Sequence, residues 1–467
     1  MSKIIDLQKT FQKNNLKIND FVSTTIVNLK KNKALNAYIS LIEKHQELKN
    51  KTSDSLLYGI PYAIKDNINV FGTFTTGGSR FFENYKSCYD ATVISLLNDS
   101  GAIPVAKANL DEFGLGGTGT FSGYGRVINP LDQNRITSGS SSGSAVLVAD
   151  DSVPFALGTD TGDSIRKPAS YLGIIGYKPT YGLVSRYGVF PYAPSLDHVG
   201  LLAKSVTDIA IVADVICKYD ENDFTSQRQG VHNFYKNINN LKDKYKLVYF
   251  KNIIKYMDDK CRNLFIETIS KLKNEKKIEI CEIDFPEELI SAISSIYKII
   301  SYSEAVSCYQ NITGIPFGKK INGASFFEAI AKTRSKYFGN ELKRRFVFGS
   351  YCTLKDNYLG ILFLSKKIRR IIVEKASELF AKYDFVVMPG SSSYAPTIDE
   401  LENKIYKDTY VDDYLQIANF GGFPSLTLPM GKVNGNYIGI NFMGNINYDQ
   451  ELLIFCKFIN EKLNAGD

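Results

Sequence analysis

Apolar residues recur at helical spacing along the first part of this chain. Positions three or four residues apart are apolar, which is typical of amphipathic helices. They are Ile4, Leu7 and Phe11, then Phe21, Ile26 and Leu29, then Leu35, Ile39 and Ile42. We therefore predict that residues 1–50 form a helical segment that packs on the core of a single larger domain, residues 51–467.

Beyond residue 50, short apolar runs bounded by turn residues predict strands, and longer periodic stretches predict helices. The predicted strands are residues 59–68, 101–106, 247–250, 278–285, 385–390, 425–429 and 437–443. The predicted helices are residues 91–97, 205–217 and 257–272, much of 286–384, and a last helix from Glu451. This alternation is typical of an α/β fold, in which helices are layered on a large β-sheet.

Two loops rich in Gly, Ser and Thr flank a short apolar block in the middle of this pattern. The loops are residues 137–144 and 158–164, and the block is residues 145–149. A flexible linker has a similar composition, but the block and residues 154–157 are apolar enough to be buried. Glycines allow close approach to a ligand, and hydroxyl groups supply nucleophiles. The stretch is therefore predicted to form an active site.

Two kinds of base are compatible with a serine nucleophile in this stretch. Residues 139–143 satisfy the G-x-S-x-G pattern of a nucleophile elbow around Ser141, which needs a downstream histidine, either His198 or His232. Alternatively, Lys65 lies in an apolar run, where burial lowers the pKa of a lysine so that it acts as a base. A lysine that reaches solvent from a strand end fits the same pattern. A Walker A phosphate site is excluded, because no Gly-Lys-Ser/Thr follows at the required spacing.

Composition restricts the possible classes of function. The 467 residues are 44% hydrophobic and 22% charged, as in an ordinary soluble enzyme, and the net charge is +7. This mild charge permits contact with an RNA-bearing partner without indicating direct nucleic-acid binding. Seven scattered cysteines and three histidines predict reduced thiols and no zinc site. No apolar run has the length of a membrane span and no signal sequence is recognisable, so we expect a cytoplasmic protein.

Several ordered blocks of sequence resemble the amidase signature family. They are residues 89–93 (YDATV), 109–113 (NLDEF), 176–182 (GYKPTYG), 184–188 (VSRYG), 195–197 (SLD) and 338–345 (FGNELKRR). The similarity extends from about residue 36 to the C-terminus. The resemblance implies that residues 51–467 form the amidase signature domain, with a central mixed β-sheet flanked by helices.

The spacing of Lys65, Ser140 and Ser164 agrees with the family's Ser-cisSer-Lys triad. The resemblance makes Ser164 the nucleophile, Ser140 the proton relay and Lys65 the neutral base. It also implies that the peptide bond before Ser140 is cis.

An oxyanion hole is implied around the nucleophile. Its backbone N–H groups would belong to Thr161, Gly162, Asp163 and Ser164. Asp163 replaces a glycine of the family, and a carboxylate about 4 Å from an oxyanion would cost roughly 4 kcal/mol at an effective dielectric constant near 20. We expect the Asp163 side chain to point away from the oxyanion, so that the site stays active.

The resemblance also implies residues that bind a glutamine substrate. Arg344 resembles the family's carboxylate clamp, since a guanidinium binds a carboxylate through two hydrogen bonds. Its neighbour on the helix faces another direction and cannot serve as well. The acceptor of the substrate ammonium corresponds to Asp412 or Asp413. Counting back from Asn419 without a gap favours Asp412, whereas the local Asp-x-Leu-x-Ile pattern favours Asp413, so both stay open. Gly116 and Gly117 begin a third glycine-rich loop that would line the pocket, although a plain surface turn fits equally well.

The function implied by the resemblance is that of a glutaminase working inside a tRNA-dependent amidotransferase complex. Glutamine would be hydrolysed to glutamate, and ammonia would pass to a partner, the B subunit, which converts Glu-tRNA(Gln) to Gln-tRNA(Gln). This chain would hold no cofactor, whereas the partner would use ATP and Mg²⁺, and a small third protein, the C subunit, would complete the complex. Two alternatives stay open: a stand-alone amidase for small amides, and a catalytically weak scaffold protein, which Asp163 suggests.

Overall fold

One mixed β-sheet organises the computed structural model, which describes residues 2–13, 17–43, 54–230, 232–403 and 413–464. Eleven strands from these residues form the sheet. They are β1 (Tyr38–Leu41), β2 (Pro61–Lys65), β3 (Ile103–Ala108), β4 (Phe155–Asp160), β5 (Ile175–Lys178), β6 (His198–Ala203), β7 (Tyr245–Phe250), β8 (Ile278–Ile283), β9 (Phe385–Pro389), β10 (Ser425–Val433) and β11 (Asn436–Gly444). Their order across the sheet is β1-β3-β2-β4-β6-β5-β10-β11-β9-β7-β8.

Helices connect many of these strands. In chain order they are α1 (Lys3–Gln12), α2 (Ile18–Lys31), α3 (Thr92–Asp99), α4 (Ser142–Ala149), α5 (Arg166–Leu172), α6 (Val206–Ile216), α7 (Lys251–Ile254), α8 (Asp259–Lys273), α9 (Glu287–Tyr309), α10 (Phe326–Tyr337), α11 (Asn340–Thr353), α12 (Lys355–Asn357), α13 (Leu364–Leu379), α14 (Ile398–Glu402), α15 (Ile417–Phe420) and α16 (Asp449–Asn464). A π-helical segment, Tyr358–Phe363, joins α12 to α13. Short 3₁₀ helices occupy Asn32–Leu35, Arg80–Phe82 and Glu112–Gly114.

Side-chain caps explain where several helices begin. Ser205 accepts hydrogen bonds from the first N–H groups of α6, and Asp258 does the same for α8. Thr397 and Glu400 form a reciprocal capping box at α14. By contrast, α11 begins at Gly339, which has no side chain to act as a cap.

The centre of the sheet is buried on both faces. Every residue of β2, β4 and β6 is buried, and successive side chains of a strand point to opposite faces. Strands β3, β2 and β4 are parallel neighbours, so their carboxyl ends meet at one edge of the sheet. Lys65 ends β2 and Asp160 ends β4 at that edge, which brings the lysine beside the second hydroxyl-rich loop.

The predicted α/β fold with a large central sheet is confirmed, and one local prediction is wrong. The spacing of Leu35, Ile39 and Ile42 predicts a helix. Leu35 ends a short 3₁₀ helix, but Tyr38–Leu41 forms strand β1, which pairs antiparallel with β3. Asn36 has φ of +51°, a left-handed conformation that ends the preceding turn. The predicted boundary at residue 50 falls among residues 44–53, outside the described part of the chain.

Some features are absent from the described residues. No helix among them is both long and apolar enough to cross a membrane. No group of three or more His, Cys, Asp or Glu side chains there is arranged to hold a metal ion. The seven cysteines are free thiols.

Candidate active site

Lys65 lies at the centre of the candidate site, at the carboxyl end of β2. Its side chain is fully buried, and Nζ donates hydrogen bonds to Ser140 Oγ (2.8 Å), Ser141 Oγ (2.9 Å) and Thr159 Oγ1 (2.8 Å). The two serines precede α4, and Thr159 lies near the end of β4. The fold therefore joins the lysine directly to the serine predicted as its relay.

Burial lowers the pKa of Lys65 to about 7, because a low-dielectric interior disfavours the charged amine. Three carboxylates oppose this shift, and they belong to Asp111, Asp160 and Asp197. The neutral form of the lysine is therefore far more populated near pH 7 than in an exposed lysine. A neutral amine in this position can accept a proton without a histidine.

The two hydroxyl-rich loops meet in front of the sheet. The Gly139–Ser140 peptide bond is cis, and Ser140 and Ser164 are both buried. A hydrogen bond from the Ser141 N–H to the Ser164 carbonyl oxygen (3.2 Å) joins the loops. The residues predicted as nucleophile and relay thus lie on adjacent segments.

Hydrogen bonds to its carbonyl groups orient the backbone of the turn between β4 and α5. The Gly162 carbonyl accepts a hydrogen bond from Arg166 Nη2 (2.6 Å), and the Asp163 carbonyl accepts one from the Lys167 N–H (2.9 Å). Because N–H and C=O point in opposite directions across a trans peptide bond, the N–H groups of Asp163 and Ser164 point away from these partners. This orientation suits the oxyanion hole predicted for the turn.

A buried ion pair holds both ends of this turn. Arg166 donates to Asp160 through Nε (3.1 Å to Oδ2) and Nη2 (3.0 Å to Oδ1), and both residues are fully buried. Asn419 accepts from Arg166 (2.7 Å) and donates to Asp160 Oδ1 (3.0 Å). Burial favours a raised pKa for Asp160, but the Arg166 charge and these hydrogen bonds hold that pKa well below its usual range. Sequence reasoning missed both partners, although the opposite charges that flank the second loop were a visible signal.

The serine elbow around Ser141 lacks a histidine base in the described structure. Ser141 Oγ accepts from Lys65 and donates to the Thr159 carbonyl (3.0 Å). Among the hydrogen bonds of the described residues, none joins Ser141 to His198 or His232. Ser141 therefore holds the lysine in place. The described structure provides no histidine base for a nucleophile elbow at this serine.

A cavity of about 170 Å³ adjoins the turn and carries groups of both charges. Its charged lining residues are Asp163, Lys167, Lys298, Arg345 and Asp413. Its other walls include Gly116, Gly117, Phe121, Tyr171, Tyr297 and Tyr302. A small molecule with both an ammonium and a carboxylate group finds opposite charges here. We call this the smaller cavity.

Arg345 faces the smaller cavity and Arg344 does not, so the prediction of Arg344 as the carboxylate clamp is wrong by one residue. Arg345 lies on the buried face of α11 with Leu342 and Phe346. The Arg344 side chain is 66% exposed and pairs with Glu341 on the surface. The spacing of Leu342, Arg345 and Phe346 was the signal that could have identified the inward-facing arginine.

The Arg345 guanidinium donates three hydrogen bonds to its surroundings, fewer than the number of its N–H donors. Nε donates to Glu341 (2.8 Å), Nη1 to the Tyr192 hydroxyl (3.1 Å) and Nη2 to the Gly116 carbonyl (3.2 Å). A guanidinium has five N–H donors. Within the described residues, one N–H on each terminal nitrogen therefore has no hydrogen-bond partner, and two donors of this kind can bind a carboxylate.

The remaining predicted substrate residues lie around the same cavity. Asp413 lines it, whereas Asp412 lies outside the described residues, so the choice between them stays a prediction. Gly116 and Gly117 also line it, and their loop is therefore not a plain surface turn. Asp111, which sequence reasoning left without a role, holds this loop by accepting a hydrogen bond from the Gly117 N–H (2.8 Å).

Asp163 belongs to the wall of the smaller cavity. Burial raises the pKa of Tyr297 well above its usual value, and the nearby Asp163 charge adds to this effect. A Cβ atom at Gly162 would lie 2.8 Å from the same tyrosine ring, so a glycine is needed there. Two cations, Lys167 and Arg345, line the cavity with Asp163 and offset the field of its carboxylate.

A second, larger cavity of about 370 Å³ reaches the turn at Thr161. It is also lined by Asn67 and by Thr159, the partner of Lys65 Nζ, and it extends to the exposed Phe224. His198 Nε2 and Asn67 Oδ1 are buried without a hydrogen-bond partner among the described residues. The larger cavity therefore connects the turn and the surroundings of Lys65 with the protein surface at Phe224.

Comparisons with known proteins indicate one family. A model of the Amidase family matches residues 20–453. The A subunit of glutamyl-tRNA(Gln) amidotransferase from Mycoplasma genitalium is 43% identical over 466 residues, which cover 97% of this chain and 96% of that one. The protein of the same name from Archaeoglobus fulgidus is 35% identical and covers 96% of each chain.

Solved structures are similar over most of the chain. The crystal structure of the A subunit of glutamyl-tRNA(Gln) amidotransferase from Thermotoga maritima is 32% identical, with a TM-score of 0.77, and covers 93% of this chain and 89% of that one. The native peptide amidase of Stenotrophomonas maltophilia is 24% identical, with a TM-score of 0.83 and coverage of 99% and 97%. At that identity the likeness concerns the fold alone.

The titration of Lys65 generates a first prediction. The rate of enzyme acylation by an amide should rise with pH through about 7 and then level off, because only the neutral amine accepts the serine proton. Lys65→Arg should lower the acylation rate by about a thousandfold or more, since arginine does not deprotonate in this range. Single-turnover kinetics across pH 5–9 measure both effects. A fully active Lys65→Arg enzyme would show that only positive charge is needed there.

Asp163 generates a second prediction. If its carboxylate points away from the oxyanion, Asp163→Gly should change kcat for amide hydrolysis by less than about tenfold, or roughly 1.4 kcal/mol. Steady-state kinetics of the two proteins give this ratio. A gain of about a hundredfold, near 2.7 kcal/mol, would instead show that the carboxylate opposes catalysis.

Proposed function

The chain belongs to the amidase family, and from this premise we propose that it is the glutaminase component of a tRNA-dependent amidotransferase. The observation that carries the proposal is a buried lysine of lowered pKa, joined to two serine loops, beside a small cavity of mixed charge. The names of its near-full-length relatives support the same function. The substrate is the side-chain amide of glutamine.

The reaction begins with attack of Ser164 Oγ on the amide carbonyl carbon. Ser140 takes the Ser164 proton and passes its own proton to neutral Lys65. The carbonyl oxygen becomes an oxyanion that the N–H groups of the turn stabilise. The proton then returns to the leaving nitrogen, the C–N bond breaks, and ammonia departs from an acyl ester on Ser164. Water attacks that ester with Lys65 again as base, and glutamate is released.

Charge in the smaller cavity selects glutamine over a simple amide. Arg345 binds the α-carboxylate through its two remaining N–H donors, and Asp413 accepts hydrogen bonds from the α-ammonium group. Opposite charges 4 Å apart attract by about 4 kcal/mol at an effective dielectric constant near 20. Both charged groups on the α-carbon are thereby held while the side-chain amide, at the other end of the molecule, reaches Ser164.

Ammonia leaves through the larger cavity. This cavity borders the turn at Thr161 and also Thr159, which is a hydrogen-bond partner of Lys65. Its acceptor is Glu-tRNA(Gln), held by the B subunit, which forms Gln-tRNA(Gln) with ATP and Mg²⁺. The small C subunit completes the complex, which works in the cytoplasm. An enclosed route is needed because ammonia released into solvent becomes protonated and is lost as a nucleophile.

Arg345 and Arg344 provide a matched pair for testing substrate recognition. Arg345→Lys keeps the charge but removes the planar pair of donors. The KM for glutamine should therefore rise about tenfold to a hundredfold, or roughly 1.4–2.7 kcal/mol, while kcat changes less than about threefold. Arg344→Lys should leave both constants within about twofold, because that side chain is exposed. Equal effects of the two substitutions on KM would contradict the assignment.

A purified complex of the three proteins tests the proposed function as a whole. Its glutamine turnover with ATP and Glu-tRNA(Gln) should exceed that of the isolated chain by at least about tenfold, or roughly 1.4 kcal/mol of barrier. Ser164→Ala in the complex should abolish ammonia release from glutamine, while amidation of Glu-tRNA(Gln) from added ammonium chloride survives. Equal turnover by the lone chain and the complex would indicate a stand-alone amidase.

A further inference from the structure

Two consecutive acids, Asp111 and Glu112, follow β3 and bind two adjoining walls of the smaller cavity. Both are buried. Asp111 accepts hydrogen bonds from the glycine loop, at the N–H groups of Gly117 (2.8 Å) and Gly119 (3.1 Å). Glu112 lies outside the lining of both cavities, and its carboxyl group binds the start of α11 instead.

Glu112 supplies the cap that α11 does not have in its own sequence. Its Oε2 accepts a hydrogen bond from the Gly339 N–H (2.8 Å), and its Oε1 accepts one from the Ser79 hydroxyl (2.5 Å). Gly339 is the N-terminal cap position of α11 and makes no side-chain cap. The first N–H groups of a helix have no partner within the helix, and in a capping box the acceptor for the N–H of the cap residue is a Glu or Gln three residues further on. Here it comes from a residue more than 200 positions earlier in the chain.

The carboxyl group of Glu112 is well removed from solvent. Burial raises its pKa to about 7, against the opposing hydrogen bonds from Ser79 and Gly339 and the charge of Lys343. A hydrogen bond made by a desolvated carboxyl group is costly to lose, because water does not restore it. The start of α11 is therefore held firmly against β3 and the segment that follows it.

This anchor lies on the helix that carries the substrate-binding arginine. Arg345 follows Gly339 by six residues, or about 9 Å along the helix axis. Its guanidinium donates to the carbonyl of Gly116, in the loop that Asp111 holds. A shift of the helix start moves the guanidinium relative to the turn that carries Ser164, and the paired hydrogen bonds of a guanidinium to a carboxylate depend on that geometry.

We propose that Glu112 is a positioning residue for recognition of the substrate α-carboxylate. By capping α11 from outside the helix, it sets where Arg345 presents its two available donors. This inference rests on the proposed function, since it assumes a substrate that carries an α-carboxylate.

The test compares two amides in the complete complex. One is L-glutamine, and the other is 4-aminobutanamide, which is glutamine without its α-carboxylate. Glu112→Ala should raise the KM for glutamine by about tenfold with kcat within about threefold, while kcat/KM for 4-aminobutanamide stays within about twofold. Glu112→Gln retains one acceptor oxygen and should restore part of the affinity. Glu328→Gln is the matched control, because Glu328 binds the Ala324 N–H at the start of α10 and should affect neither substrate.

A double substitution tests whether Glu112 acts through Arg345. The Glu112→Gln, Arg345→Ala protein should lose no more affinity for glutamine than Arg345→Ala alone, since a positioning residue has no effect without its target. Additive losses, or equal losses for both amides, would overturn the positioning role. Unchanged kinetics of Glu112→Gln and Glu112→Ala would overturn it as well.

The wild-type complex separates this inference from the function on which it rests. A wild-type preference for glutamine over 4-aminobutanamide supports the proposed substrate, whatever Glu112 does. Absence of that preference would overturn the proposed substrate and the positioning role together. If Glu112→Ala does not fold, as judged by circular dichroism, the same comparison of the two amides is made with Glu112→Gln, because glutamine keeps the size of the side chain.

Discussion

The candidate site depends on the buried ion pair between Asp160 and Arg166. These residues stand at the two ends of the turn that carries Ser164, and their hydrogen bonds of 3.0 and 3.1 Å clamp it. A buried pair is costly to desolvate and stays stable only when its remaining donors and acceptors are satisfied. Asn419 and the carbonyl groups of Gly162 and Leu415 satisfy them here. The same contacts that stabilise the pair also orient the turn.

The chemistry of Lys65 depends on the same packing. The carboxyl ends of β2 and β4 meet in the sheet, so the lysine is buried against the turn that Arg166 orients. Burial lowers the pKa of Lys65 to about 7 despite three nearby carboxylates. The Arg166 charge partly neutralises one of them, Asp160. Without that pairing, the full field of the carboxylate would favour the charged amine and weaken the base.

Local patterns were sufficient for the fold class, whereas the candidate triad also needed the resemblance to a known family. Apolar runs of strand length, separated by periodic helical stretches, predicted the α/β layers because burial leaves its period in the sequence. Serines in glycine-rich loops and one lysine in an apolar strand pointed to acyl chemistry, since those residue types carry it. The resemblance then selected Lys65, Ser140 and Ser164, and the structure places Lys65 2.8 Å from Ser140. Each of these signals lies within a short stretch of chain.

Contacts between distant segments were decided only by the tertiary structure. Adjacent arginines look alike in a sequence, and the packing of α11 alone determined that Arg345 faces the cavity while Arg344 is exposed. The cap that Glu112 gives to Gly339 likewise joins residues more than 200 positions apart. Strand β1 was predicted as helix because its pairing with β3 is not visible from its own residues. The amino-acid pattern thus determines which residues are buried, whereas the fold determines which partners they meet, because hydrogen bonds and ion pairs depend on distances that chain order does not encode.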